Sequence, residues 1–166
     1  MYLEDYKVGL KRTVGEYVVD QDEILEFARK WDPEPFHMDI EAARSSIFGG
    51  LVASSTHIFA IRSWLIHKFP DKTQLLAGLG FDNLWFKAPV RPGDHLSLTI
   101  ETVEVWGSKT KPDRGIVKNQ LTLTNQKGEV VLTSKEVILV ARRSPDTERG
   151  KVPSHATHAY GSKGAP

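Results

Sequence analysis

An acid and a histidine stand five positions apart in the segment Trp31–His37, which reads WDPEPFH. Asp32 and His37 both exchange protons, and a carboxylate and an imidazole on one loop can hold a water molecule between them. Pro33 and Pro35 restrict the backbone here, because a proline fixes its own φ angle and limits the residue before it. This pattern favours general acid–base catalysis, in which the rate depends on holding the reacting groups in a fixed geometry.

Two other interpretations of this loop remain open on the residues alone. A charged, proline-rich segment can be an ordinary surface turn without a chemical role. The cluster of Asp32, Glu34, His37 and Asp39 could instead ligate a metal ion. That cluster contains one histidine and lacks the spacing of zinc sites, so the sequence predicts no metal site.

A second candidate feature is the run FGGLVASS, from Phe48 to Ser55, which leads directly into an apolar segment that predicts a helix. Backbone N–H groups at a helix N-terminus have no partners within the helix and lie at its positive end. Such donors stabilise an oxygen on which negative charge develops. The alternative is a plain glycine-rich connector with a serine cap. Taken with the acid–base pair, the run indicates chemistry at the carbons next to a carbonyl group.

Three helices are predicted to position these groups. Asp20 followed by Glu23 is a capping-box pattern, and Pro33 ends the helix that starts there. Asp39 is predicted to cap a short second helix that ends near Gly49 and Gly50. The third spans residues 54–69 and is apolar around most of its girth, so it should be enclosed by other structure.

The second half of the chain changes to a period of two. Residues 95–105 alternate almost strictly, with one slip near Thr102 that predicts a bulge. Further strands are predicted from Gly78, over 115–125 and over 129–142, in addition to a short strand at 13–19. The order of elements predicts an α+β fold with an antiparallel sheet around the long helix. One such sheet leaves an edge unmatched, so a pairing partner is expected. The aromatic residues Trp64, Trp85 and Phe86 are expected in the core, with the alternative that some of them line a binding tunnel.

The overall composition narrows the class of protein. There are 22 basic and 21 acidic residues among 166, which does not favour nucleic-acid binding, and no cysteine for disulfides or thiolate chemistry. We find no signal-peptide pattern and no apolar run long enough for a membrane span, so we expect a cytoplasmic protein without a membrane partner. Residues 1–143 are predicted to form one domain, and residues 144–166 a polar tail.

The run Asp32-Pro33-Glu34-Pro35-Phe36-His37 resembles the D-x-N-P-x-H signature of the MaoC-like dehydratases, a family that includes (R)-specific enoyl-CoA hydratases. The opening YLEDYKVG, the run EAARSSIFGGLVAS, the run FKAPVRPGD and the last two strands match in order and spacing. The resemblance implies a hot-dog fold, in which an antiparallel sheet wraps a long helix, and a homodimer or a dimer of such dimers. It also implies reversible hydration of a trans-2-enoyl-CoA thioester with no cofactor beyond the coenzyme A of the substrate.

The same resemblance assigns roles to residues. The catalytic pair of the family falls on Asp32 and His37, and we favour the carboxylate as the base. The oxyanion-hole glycine of the family falls on Ser55, and a serine near the active site falls on Ser63. Gly50 is a further candidate for contact with the substrate.

Two departures from the family pattern affect these expectations. Glu34 replaces the usual asparagine and could modulate proton transfer, and Ser54-Ser55 replaces a His-Gly pair. Two alternatives therefore remain: a thioesterase on the same fold, or a catalytically silent subunit that binds acyl groups. His57 on the long helix is interpreted as a packing or capping residue, and Arg62 is one of several candidates for contact with the coenzyme A phosphates.

Overall fold

Five strands form one antiparallel sheet in the computed structural model, which describes residues 1–143. The strands are β1 (Lys11–Val18), β2 (Leu75–Phe86), β3 (His95–Gly107), β4 (Arg114–Thr124) and β5 (Val130–Ala141). Their order across the sheet is β1-β3-β4-β5-β2, so β1 and β2 are the two edges. This confirms the predicted α+β class. The tail predicted for residues 144–166 lies outside the described residues.

The strand pattern of the sequence is reproduced in the central strands. Leu96, Leu98 and Ile100 of β3 are buried, and the residues between them are half-buried. The register between β3 and β4 shifts between Thr102 and Glu104, which is the slip that the alternation predicts. A bulge adds one residue to a strand and restores the inward face beyond it.

The helices are short except for two. They are a 3₁₀ turn (Leu3–Asp5), α1 (Gln21–Trp31), α2 (Pro35–Met38), α3 (Ile40–Arg44) and α4 (Ser55–Ile66). The predicted caps are present at Asp20, Asp39 and Ser54, whose side chains accept hydrogen bonds from the first turns of α1, α3 and α4. None of the helices described in residues 1–143 has the length and apolarity needed to cross a membrane.

Two helix predictions need correction. The segment after Asp32 is not wholly a loop, because Pro35 begins the single turn α2, and the first helical position is where proline is tolerated. Helix α3 ends at Arg44, well before Gly49. The hydroxyl of Ser46 donates to the Ala43 carbonyl and accepts from the Phe48 N–H, and such local bonds compete with the helix.

The core lies between α4 and one face of the sheet. Ile58, Ile61 and Leu65 of α4 are buried against a cluster that includes Leu121 and Leu123 of β4. The enclosure predicted for this helix is therefore real on one side. Its other side is more open, since 42% of Trp64 is exposed.

Strand β2 carries an exposed apolar surface. Large apolar residues at least 38% exposed are found along it: Leu75, Leu76, Leu79, Phe81, Leu84, Trp85 and Phe86. The expectation that Trp85 and Phe86 lie in the core was wrong, because β2 is an outer strand with a neighbour, β5, on one side only. An exposed edge of this kind is the unmatched edge that the sequence predicts.

Candidate active site

His37 is held by a backbone oxygen in a buried position on α2. Its Nδ1 lies 2.7 Å from the carbonyl oxygen of Val52, and only 8% of the residue is exposed. A carbonyl can only accept a hydrogen bond, so Nδ1 must carry the hydrogen. In the neutral ring, Nε2 then keeps the free lone pair and is the atom that can exchange a proton.

The backbone between the two candidate proton carriers is fixed by local hydrogen bonds. Asp32 N–H donates to the Ala28 carbonyl at the end of α1, and Glu34 N–H donates to the Asp32 carbonyl at 2.8 Å. His37 N–H then donates to the Glu34 carbonyl at 2.9 Å. These bonds, with the two prolines between them, leave the segment little freedom to reorient.

Asp32 occupies a position that helix energetics do not favour. It caps the C-terminus of α1, where the helix dipole destabilises a negative charge, and it is half-buried. No hydrogen bond or ion pair found within residues 1–143 involves its carboxylate. Residues placed against a local stability rule are expected at functional sites.

A cavity of about 360 Å³, here named the His37 cavity, brings His37 next to the start of α4. Its lining includes Phe36, His37, Phe48, Val52, Ser55 and Phe86. Asp32 is absent from the described lining, so the structure joins His37 with Ser55 but does not bring Asp32 into the same cavity.

The N-terminus of α4 leaves donors directed outward. The Ser54 hydroxyl accepts from the His57 N–H at 3.2 Å, which uses one donor of the first turn. Ser55 is the first helical residue, and within the described chain its N–H has no acceptor. It is therefore available to an oxygen in the His37 cavity.

The remaining candidate residues lie elsewhere. Glu34 is exposed, and its side chain makes no capping bond. Ser63 donates to the Phe59 carbonyl within α4 and lines a different cavity. Gly50 is outside the lining of the His37 cavity, and a Cβ atom there would meet the Arg91 guanidinium at 3.3 Å.

Comparison with known proteins decides the family. The model of the MaoC like domain matches residues 7–125, which is more than two thirds of the chain. The chain belongs to the MaoC-like dehydratase family. Its fold is accordingly the hot-dog fold that the sequence resemblance implies.

Solved structures agree with this family assignment. The MaoC-like dehydratase from Rhodospirillum rubrum is 39% identical, with 87% of this chain and 99% of that chain covered and a TM-score of 0.80. The monoamine oxidase regulatory protein from Archaeoglobus fulgidus is 28% identical, with 87% and 96% covered and a TM-score of 0.78. The (R)-hydratase PhaJ1 from Pseudomonas aeruginosa shares the fold at 23% identity, with 86% of each chain covered and a TM-score of 0.65.

Sequence reasoning missed two features of this MaoC-like chain. The acceptor for His37 is a backbone carbonyl, that of Val52, and no residue type at position 52 announces it. Arg62 was considered a candidate for coenzyme A phosphates, but it is buried and ion-paired with Glu136. An arginine in an apolar helix is the signal that could have suggested a buried partner, since isolated buried charges are strongly disfavoured.

His57 is buried, as a packing histidine should be, and part of a network with α1 and β1. Its Nε2 lies 3.3 Å from one Glu23 oxygen, the Tyr17 hydroxyl donates to the other, and its ring stacks on Phe27 at 4.4 Å. The carboxylate of Glu23 therefore does not complete the predicted capping box. It connects α1 to the first turn of α4 and so supports the helix end that presents Ser55.

Within residues 1–143, no three histidine, aspartate or glutamate side chains come together in a group that could hold a metal ion. The carboxylates near His37 in the sequence are spread over separate positions instead, with Glu34 and Asp39 exposed and Asp32 half-buried. Asp39, for example, uses its carboxylate to cap α3, accepting from Glu41 and Ala42.

Proposed function

We propose that this chain is an acyl dehydratase of the (R)-specific enoyl-CoA hydratase type, which adds water reversibly to a trans-2-enoyl-CoA thioester. The observation that carries the proposal is the His37–Val52 hydrogen bond, which leaves Nε2 as the proton-exchanging atom of a buried imidazole beside a cavity. Membership of the MaoC-like dehydratase family supports the reaction class.

The proposed reaction uses both proton carriers on the rigid segment. In the direction of hydration, the Asp32 side chain turns toward the His37 cavity and takes a proton from water as the water oxygen bonds to the β carbon. His37, as the imidazolium, gives its Nε2 proton to the α carbon, and the Val52 carbonyl accepts the Nδ1 hydrogen throughout. Afterwards Asp32 returns its proton to the imidazole by way of solvent, which restores the starting states. Positioned proton transfer of this kind contributes about a hundred- to ten-thousand-fold to a rate.

The helix end supplies the third element of the proposed mechanism. When the proton arrives late at the α carbon, negative charge accumulates on the thioester oxygen. The Ser55 N–H at the start of α4 would stabilise this charge by donating a hydrogen bond to the thioester oxygen, and the helix dipole would add to the stabilisation. Removal of one such donor typically lowers a rate by about a hundredfold or more.

A homodimer is part of this proposal. The apolar edge of β2 borders the His37 cavity through Phe86, so a second subunit placed on that edge would cover the cavity wall. Covering the edge removes exposed apolar surface from water, which favours association. Enclosure also excludes bulk water from the carbon that must receive one water molecule only.

One assay distinguishes this function from its rivals. Purified protein is mixed with crotonyl-CoA while the absorbance of the conjugated enoyl thioester and the appearance of free thiol are followed together. Loss of the absorbance without thiol release is the expected result. Release of free thiol would identify a thioesterase, and no change with a series of acyl chain lengths would identify a silent subunit.

A further inference from the structure

A second cavity, of about 290 Å³, lies farther along α4 than the His37 cavity and is here named the Arg62 cavity. Helix α4 and strand β2 line it together with residues of the other four strands, among them Arg12 of β1 and Glu136 of β5. Its lining includes Arg12, Arg62, Ile66, Gly80, Phe81 and Glu136. The proposed hydration mechanism does not require any of the charged groups at the base of this cavity.

Residues of the same helix, α4, and the same strand, β2, line both cavities. Ser55 and Ile58 of α4 line the His37 cavity, and Arg62 and Ile66 line the Arg62 cavity, at spacings that place all four on one helix face. Strand β2 runs past both in the opposite order, with Phe86 beside the first cavity and residues 75–81 beside the second. They are therefore successive parts of one cleft between α4 and β2.

An aromatic pair connects α4 with β2 next to the Arg62 cavity. Phe59 of α4 and Phe81 of β2 meet edge to face, with ring centroids 5.0 Å apart. Phe81 lines the Arg62 cavity, and Phe59 comes between Ile58 and Arg62 in the helix sequence. Both side chains are partly exposed, so they can rotate to let an acyl chain pass from the His37 cavity to the Arg62 cavity.

The base of the Arg62 cavity is charged although the position is buried. Arg62 is 3% exposed, forms an ion pair with Glu136, and lies 5.0 Å from the ring centroids of both Phe59 and Phe81. Its Nε has no hydrogen-bond partner within residues 1–143. A buried guanidinium with an unused donor is expected to have an acceptor in the functional state.

A second guanidinium gives this cavity a positive excess. Arg12 is half-buried over the rings of Phe69 and Tyr6, at 5.0 and 5.8 Å from their centroids. None of the ion pairs found in the described residues involves Arg12, and its one hydrogen bond, to the Asp71 carbonyl, is long at 3.5 Å. Glu136 balances Arg62 alone, so the Arg12 charge is left to attract an anion.

The charges at the mouth of the cavity do not change this balance. Asp71 and Lys72 are both exposed there and carry opposite signs. Water screens them most, half-buried Arg12 less and buried Arg62 least. An anionic group that enters the cavity would therefore meet two guanidiniums and one carboxylate.

We propose that the acyl group of the substrate ends in a carboxylate, which Arg12 and Arg62 bind. The substrate class is the coenzyme A monothioester of an unsaturated dicarboxylic acid, and the inference rests on the function proposed above. Arg62 comes seven positions after Ser55 in α4, about 10 Å at the helical rise, so the acyl chain would be of medium length. Its methylene groups would contact Ile66 and Phe81, and the two guanidiniums would fix its far end.

The test uses matched thioesters that differ only at the far end. Each 2-enoyl-CoA with a terminal carboxylate is paired with a methyl-ended 2-enoyl-CoA of the same length, and kcat/KM is measured for both. We expect at least a tenfold preference for the carboxylate-ended member at the best length. Equal values, or a preference for the methyl-ended member, would overturn the inference.

Binding of the saturated thioesters separates this inference from the proposed function, since binding requires no hydration. A tenfold lower Kd for the carboxylate-ended saturated thioester is expected, and equal Kd values would refute the carboxylate site. If that preference is found but no enoyl thioester is hydrated, the proposed function alone fails. If methyl-ended substrates are hydrated as well as carboxylate-ended ones, the inference alone fails.

Variants assign the preference to the two arginines. Arg12→Gln removes a charge that is outside the buried ion pair, and it should abolish most of the preference for the carboxylate-ended substrate. Arg62→Met alone leaves Glu136 buried without its partner and can fail to fold, so the double change Arg62→Met with Glu136→Leu is the second variant. Lys109→Gln, in the loop after β3, is the matched control for loss of one positive charge. A preference that survives both variants would contradict the assignment.

Discussion

The guanidinium of Arg91 donates to the backbone oxygen of Phe48 across 2.6 Å. Its backbone N–H is itself fixed by the Asp94 carboxylate at 2.8 Å. The guanidinium passes over Gly50, where a side chain would approach it closely. Through these contacts Arg91 fixes the loop that brings Phe48 to the wall of the His37 cavity, so it is a positioning residue.

Replacement of Arg91 by alanine should loosen this loop. Hydrogen bonds from charged donors contribute about 1.5–3 kcal/mol, so Arg91→Ala should lower the melting temperature and reduce kcat about tenfold with a smaller change in KM. Arg91→Lys keeps the charge and should recover part of the activity. Steady-state kinetics and thermal melts measure both effects. Arg29→Ala, at an exposed position of α1, is the control, and an equal loss there would refute a specific role for Arg91.

The two proton carriers should each be required for turnover. Asp32→Asn and His37→Ala should each lower kcat at least about a hundredfold, because each removes one positioned proton transfer. Circular dichroism should show an unchanged fold. Matched controls are Asp22→Asn, exposed on α1, and His95→Ala, half-buried on β3 and outside the His37 cavity, which should both retain activity. Near-normal hydration by either site variant would remove that residue from the mechanism.

Glu34 gives a contrasting prediction. The sequence indicates a modulating carboxylate on the catalytic loop, but the structure leaves Glu34 exposed, where water screens its charge. Glu34→Asn should therefore retain activity within about twofold, and its pH–rate profile should be the same as that of the wild type. The measurement is kcat/KM across pH, and a displaced profile would show that Glu34 acts on the proton carriers.

The elements of this chain that follow local rules could be predicted from its sequence. The Asp20 cap and the alternation through Leu96, Leu98 and Ile100 depend on neighbours in the chain, and both appear where expected. The exposure of Trp85 could not be predicted in the same way. It depends on the place of β2 at the edge of the sheet, which is decided by pairings with distant residues.

The candidate site also has features that the sequence predicts and features that it does not. The loop that carries Asp32 and His37 is stiffened by its own prolines, so its rigidity is visible in the sequence. The Val52 carbonyl that orients His37 and the Glu136 partner of Arg62 lie 15 and 74 residues away in the chain. Contacts at these separations arise from the fold and have no local pattern.

The Tyr17–Glu23–His57 network should lower the free energy of unfolding both in acid and in alkali. Burial lowers the pKa of His57 below its ordinary value of 6.5, against the opposing effect of Glu23. Below about pH 6.5, His57 then binds a proton more readily in the unfolded chain than in the folded chain, so the free energy of unfolding falls as the pH falls.

Burial and the bond to the Glu23 carboxylate raise the pKa of Tyr17. Above its ordinary value of 10.0 the unfolded chain loses this proton first, so stability falls as the pH rises.

Urea unfolding at a series of pH values measures both limits. Glu23→Gln removes the opposing effect on His57 and one cause of the Tyr17 shift, so the loss of stability should become steeper in acid and weaker in alkali. Glu26→Gln, an exposed change on the same helix, should leave the pH dependence as it was. Parallel curves for the wild type and Glu23→Gln would exclude this network as the source.

Leu79 tests the role of the β2 edge in assembly. It is 52% exposed at the centre of the apolar edge strand, where a second subunit would bury it. Leu79→Glu should shift the protein from dimer to monomer, because a buried unpaired carboxylate opposes association strongly. Light scattering after size-exclusion chromatography measures the mass, and hydration should fall in the same samples if the cavity needs its covering subunit.

Val18→Glu is the matched control, since Val18 is 53% exposed on the opposite edge strand, β1. A monomeric wild type with full activity would refute the proposed dimer, and dissociation by Val18→Glu but not by Leu79→Glu would place the interface on the other edge.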